Sequence, residues 1–143
     1  MSIQDDFTQW STAKGLDSNT IRQVIACAAT PEEFKQACEE DEACSPIYPL
    51  EEIQSLQEGD EMGVSPEKSG FLIVGSCPNG DPIALDTAAD PGSVWYMDHE
   101  TMHSKPLRSI AIRVADNLVQ FMNNLVEDDD FPFDYYSAKD QLM

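Results

Sequence analysis

The chain has 143 residues, 41% of them hydrophobic, which suits one domain with a sizeable core and excludes a wholly disordered polymer. Its 27 acidic residues against 8 basic give a net charge of −19. Phosphate backbones and anionic lipid surfaces repel such a charge, which argues against direct nucleic-acid and membrane binding and favours a basic protein partner, the plain alternative being an excess that serves solubility alone.

The opening stretch MSIQDDFTQW has neither the basic nor the apolar region of a secretory signal. No segment approaches the ~20 apolar residues of a membrane span. A cytoplasmic location is therefore expected. Cys27, Cys38, Cys44 and Cys77 form no C-x-x-C pair and are read as reduced, small core residues.

A first helix begins after Ser2, with Asp5 and Asp6 in its first turn and Ile3, Phe7 and Trp10 on one face. Gly15 stops it, and Leu16 packs back on its end. A second helix starts near Asp17 or Ser18 and carries the stripe Ile21, Val24, Ile25, Ala28. Thr30-Pro31-Glu32-Glu33 is a capping-box start for a third. Pro46 and Pro49 bracket a short extended link, and Leu50, Ile53 and Leu56 mark another helix that ends at Gly59.

Phe71–Glu100 organises the chain. Phe71–Ser76, Ile83–Thr87 and Val94–Asp98 are rich in β-branched and aromatic residues. Pro78-Asn79-Gly80-Asp81 and Ala89-Asp90-Pro91-Gly92 separate them, so the stretch reads as a three-stranded antiparallel meander. Alternation over Ser109–Val114 places Ile110, Ile112 and Val114 on one face of a fourth strand. Asp116 caps a last helix whose face is Leu118, Phe121, Met122 and Leu125. The charge block Glu127-Asp128-Asp129-Asp130 follows, then Phe131, Phe133, Tyr135 and Tyr136. These aromatics are read as folding back into a satellite core, with a docking strip for a partner as the alternative.

His99-Glu100-Thr101-Met102-His103 fits H-E-x-x-H, which on a helix binds zinc through two imidazoles with the glutamate as general base. The strand composition of Val94–Met97 and the proline at 106 leave little room for that helix, and no third histidine exists. The motif is therefore read as two loop histidines, and no metal or other cofactor is expected. Asp81, Asp86, Asp98 and Glu100 lie at strand ends. Paired carboxylates there would suit acid–base chemistry, but the preferred reading is that Asp81 and Asp86 serve turn geometry and solvation. No nucleophile elbow, phosphate loop or dinucleotide fingerprint is present.

The stretch Phe71 to Leu125 resembles the SUKH superfamily of Smi/Knr-like proteins. The residues that carry the resemblance are Gly80-Asp81 with Ile83-Ala84-Leu85-Asp86, then Gly92-Ser93-Val94 with Tyr96, Asp98, His99 and Glu100, then Val114-Ala115-Asp116-Asn117-Leu118 with Phe121-Met122. The early Leu-Pro-x-x-Tyr helix of that family has only Ile47-Tyr48-Pro49-Leu50 as a counterpart. The resemblance implies an immunity protein that binds and neutralises a toxin, often a nuclease, or in eukaryotic relatives a regulatory scaffold. It implies no shared catalytic residues.

The fold expected is α+β: a mainly antiparallel sheet of four or more strands, with N-terminal helices and a C-terminal helix packed on it. One domain spans 1–143, with a helical part over 1–60, the sheet and last helix over 71–126, and an acidic, aromatic tail over 127–143. The function expected is that of a non-catalytic acidic binding protein, of immunity type, for a basic toxin domain. The alternatives are a zinc metallopeptidase built on His99, Glu100 and His103, and a regulatory scaffold without a toxin. Partner contacts are assigned to Asp81, Asp86, Asp98, Glu100, Glu127, Asp128, Asp129 and Asp130 as charges, and to Trp95 and Tyr96 as anchors.

Overall fold

The structure, a computed structural model, describes residues 3–28, 32, 47–59, 70–77, 81–87, 91–98, 100–101, 107–128, 130–132 and 135–142. Among them, helices flank a four-stranded antiparallel sheet in sequence and pack on it, an α+β fold. None of the described helices is long and apolar enough to cross a membrane. The predicted helix from Thr30 lies outside the described residues, apart from Glu32.

Helix α1 runs Ile3–Ala13 and buries Phe7 and Ser11. The Ser11 hydroxyl donates to the Phe7 carbonyl at 2.6 Å, which satisfies it inside the helix. Leu16 N–H donates to Ser11 O and Gly15 N–H to Thr12 O, each at 3.1 Å. This paired pattern needs a left-handed residue after the helix, and Gly15 supplies it at φ 100°. Leu16 folds back and is buried, as expected from the sequence. Ile3 departs from the predicted face: it stays exposed in the first turn. Helix α2, Ser18–Cys27, buries Ile21 and Val24 and packs on α1. Helix α3, Leu50–Gly59, buries Ile53 and lies against α1 and the first strand.

Strands β1 (Phe71–Ser76), β2 (Pro82–Asp86), β3 (Val94–Met97) and β4 (Ala111–Ala115) pair in that order. The extended link before α3 adds one bridge to the free edge of β1, Ile47 opposite Gly75. The register sets the two faces. Leu72, Val74, Ile83, Leu85, Val94, Tyr96 and Ile112 join the main core with residues of all the helices described above. Phe71, Ile73, Ala84, Met97 and Ile110 form a second buried cluster. Both faces of β2 are therefore buried, so its apolar run is continuous, the pattern of a central strand.

Two sequence expectations are corrected at β4. Ile110 belongs to a 3-10 turn, Leu107–Ile110, that precedes the strand, so it joins the second cluster while Ile112 faces the first. Val94 opposes Ala115 and Trp95 opposes Arg113, which leaves Val114 as the extra residue of a bulge. The bulge buries Ala115 in the main core, while Val114 is only partly buried at its margin.

Helix α4, Leu118–Glu127, is capped by Asn117 rather than Asp116. The Asn117 side chain accepts from Gln120 N–H at 2.8 Å, and the Gln120 side chain accepts from Asp116 N–H at 2.7 Å. Gln23, reaching over from α2, accepts the N–H groups of Leu118 and Val119 at 3.0 and 3.3 Å. The orphan donors of the first turn are thus satisfied by two different elements. Asp116 instead pairs with Arg113 at 2.7 Å on the surface. A further helix, α5 (Tyr135–Leu142), lies on β3 and β4 within the stretch that the sequence reading gives as an acidic, aromatic tail without assigning a helix.

Candidate functional site

The assigned acids separate by depth. Antiparallel pairing of Ile83 with Tyr96 carries the β2 entry and the β3 exit to the same end of the sheet, so Asp81 and Asp98 come together there. Both are buried, Asp81 completely. The Asp81 carboxylate accepts the N–H of Tyr135, the first residue of α5, at 3.0 Å. A negative charge at that position meets the positive end of the helix and satisfies one of its orphan donors. Asp98 accepts Glu100 N–H at 3.1 Å on one oxygen and the Thr101 hydroxyl at 2.9 Å on the other. This is an Asx turn that reverses the chain as it leaves β3.

Tyr136 closes the group from the tail side. Its hydroxyl donates to Glu100 at 3.0 Å and lies 3.5 Å from Asp98. The hydrogen bond to Glu100 is the first cause that pushes the phenol up to about 12, followed by desolvation and the charges of Asp98, Glu100 and Asp81. Burial, then the charges of Asp98 and Asp81, raise the Tyr135 phenol. Each ionised phenol would add a negative charge among carboxylates.

Asp86 is also buried, at the opposite end of β2. Its backbone N–H donates to Ser93 O at 3.0 Å, and its carbonyl accepts from Gly92 N–H at 2.9 Å. The expectation of solvation is thus corrected for Asp81 and Asp86, and together with Asp98 they sit inside and offer little or no surface to a partner. At the Asp81 and Asp98 end, α5 and the turn after β3 pack against the carboxylates.

Tyr96 is corrected in the same way. It is buried, its hydroxyl donates to Pro132 O at 2.8 Å, and its ring meets Phe121 edge-on at 5.9 Å. Phe131 stacks edge-on against Phe121 from the tail, also at 5.9 Å. Phe131 and Tyr135 fold back, as the preferred reading has it, but onto the main core, of which Tyr135 and Ala138 are members; Tyr136 stays exposed and Phe133 lies outside the described residues. Trp95 is half-buried, donates to the Ser93 hydroxyl at 2.8 Å and packs edge-on against Phe71.

The acids that remain exposed are Glu100, Glu127, Asp128 and Asp130. Asp128 ends α4 and organises the turn after it, its side chain accepting Asp130 N–H at 3.0 Å and its carbonyl accepting Phe131 N–H at 3.0 Å. Asp129 lies outside the described residues, as do His99 and His103. The glutamate between those histidines stands in a turn after β3. Among the described residues no group of three or more His, Cys, Asp or Glu side chains is placed to hold a metal ion. Cys27 and Cys77 are free thiols, Cys77 buried, and partial burial raises the Cys27 thiol.

Sequence reasoning missed Tyr135 N–H and the Tyr136 hydroxyl as partners of these acids. The available signal was the spacing of Tyr135 and Ala138, one helical turn apart, which is faint in so short a segment. The fold and this acid cluster define an α+β protein whose strand-end carboxylates are tied to its C-terminal helix. No family model, no curated protein and no solved structure matches the chain.

Proposed function

We propose that this chain is a non-catalytic binding protein for a basic protein partner, in its specific form an immunity-type protein that neutralises a nuclease-like toxin domain. The observation that carries this reading is the division among the acids. Asp81 and Asp98 are engaged with backbone and hydroxyl donors that hold α5 and the turn after β3. A carboxylate so engaged is poorly placed to serve as a general acid or base, which supports binding over catalysis. Glu100, Glu127, Asp128 and Asp130 are exposed, on a chain whose net charge is −19. That magnitude exceeds the ~2–8 that suffices for solubility of a small domain. A field of that sign steers a lysine- and arginine-rich surface toward the protein.

The resemblance of Phe71–Leu125 to the SUKH superfamily supplies the immunity-type form. The test is the product of the gene that adjoins this one. Expressed alone it should arrest growth, and co-expression with this chain should restore growth and yield a stable complex. A toxic neighbour that this chain neither binds nor neutralises, or neighbours with no toxic product, would overturn the immunity form.

A further inference from the structure

Helix α4 turns apolar residues outward beside its buried face. Val119 is 44% exposed and Val126 80%. Met122, between them, is half-buried at the margin of the main core. The spacing is i, i+3, i+7, so the three line one flank of the helix over about 10 Å. Leu118, Phe121 and Leu125 face the core, which leaves this flank as a separate ridge.

Single exposed valines are ordinary, but a ridge at helical spacing is the form in which one helix receives another amphipathic segment. Acids frame its C-terminal end: Glu127, Asp128 and Asp130 lie at and after the last turn, all exposed, while Asp116 before the helix is paired with Arg113. The ridge is also held firmly. Gln23 and Asn117 fix the first turn, and the Asp128 turn fixes the last. A surface ordered in advance loses less entropy when a partner docks.

We infer that Val119, Met122 and Val126 form the apolar centre of the docking surface, and that its occupant is a basic amphipathic helix of the partner. The occupant's apolar stripe lies on the ridge and its lysines and arginines meet the framing acids. This inference rests on the basic-partner reading above. Charge selects the occupant, since a second copy of this chain would set −19 against −19.

The test uses the full chain and two synthetic probes: an amphipathic lysine–leucine helical peptide, and a shorter polylysine of the same charge. Amide shifts in NMR titrations at low salt report affinity and location, and ultracentrifugation reports self-association. The amphipathic peptide should bind tighter than polylysine by about tenfold or more, the least that burying one valine gives. Its shifts should centre on Val119, Met122 and Val126. The double variant Val119→Ser/Val126→Ser, altered only at exposed positions, should erase the preference while still binding polylysine.

Equal binding of the two peptides, indifferent to the double variant, would overturn the ridge and leave the basic-partner reading standing. Binding of neither peptide would overturn that reading and the ridge with it. A dimer of the wild type that the double variant loses would assign the ridge to self-association instead.

Discussion

Replacing Asp81 by alanine probes how the C-terminal helix is held. The Asp81 carboxylate is fully buried and accepts Tyr135 N–H at 3.0 Å. A hydrogen bond to a charged group contributes about 1.5–3 kcal/mol, and a buried N–H left without an acceptor costs about 1–3 kcal/mol. The two overlap, since part of the first is the avoided second, so Asp81→Ala should cost about 2–4 kcal/mol. Asp81→Asn keeps an acceptor of the same size and loses mainly the charge at the helix N-terminus, about 1 kcal/mol. Urea unfolding followed by circular dichroism gives both values, and amide hydrogen exchange locates them. Protection should fall first along Tyr135–Leu142 and hold in β2, because α5 is the element that loses its cap. A loss below about 0.5 kcal/mol for Asp81→Ala, with α5 protection unchanged, would refute the capping role.

The Tyr136 phenol is raised from 10.0 to about 12, first by its hydrogen bond to Glu100. Its folded value lies above its unfolded one, so its contribution to docking α5 is fully present below pH 10 and lost as pH rises toward 12. Absorbance titration of the phenolate with parallel circular dichroism should show late ionisation and loss of α5 in that window. Tyr136→Phe should remove the window, and early ionisation in the wild type would contradict the Glu100 contact. Gly92 has φ +92°, and a Cβ there would stand 2.7 Å from the Thr20 hydroxyl. Gly92→Ala should cost about 2 kcal/mol or more in denaturant melts, and adding Thr20→Ala should recover only the steric part; a neutral Gly92→Ala would refute the close approach. Elemental analysis of the purified protein should find no stoichiometric zinc, because Glu100 stands in a turn and its carboxylate receives the Tyr136 hydroxyl. One zinc per chain, lost in His99→Ala, would restore the metallopeptidase reading.

The meander was legible because its signals are local. The runs of β-branched and aromatic residues fall on β1, β2 and β3 within one residue at each end, and Gly15 with Leu16 announced the end of α1. What escaped is long-range. The bulge at Val114 follows from how β4 meets β3, and no residue type marks it. The cap of α4 depends on Gln23, nearly a hundred positions earlier in the chain. The buried state of Asp81, Asp86 and Asp98 was invisible for the same reason. An aspartate beside a turn former reads as solvated, whereas donors brought by α5 to Asp81 and by the Asx turn to Asp98 help make burial tolerable. In the tail, the folding back of the aromatics was legible, but not that Tyr135 joins the main core with Phe131 packed against it, because which core a residue joins is set by long-range packing.

Capture of a basic partner by surface acids is tested most directly by association kinetics over a salt series. The proteins compared are the wild type and the triple variant Asp128→Asn/Asp129→Asn/Asp130→Asn, each against the basic partner that the proposed function calls for. As the Debye length falls from ~10 Å at 0.1 M salt to ~3 Å at 1 M, wild-type association should slow by about tenfold or more. The triple variant should start slower and depend less on salt, and its dissociation should stay nearly unchanged, because rim charges act on encounter and the apolar ridge holds the complex. An association rate indifferent to salt in both proteins would contradict electrostatic capture and assign the acid excess to solubility.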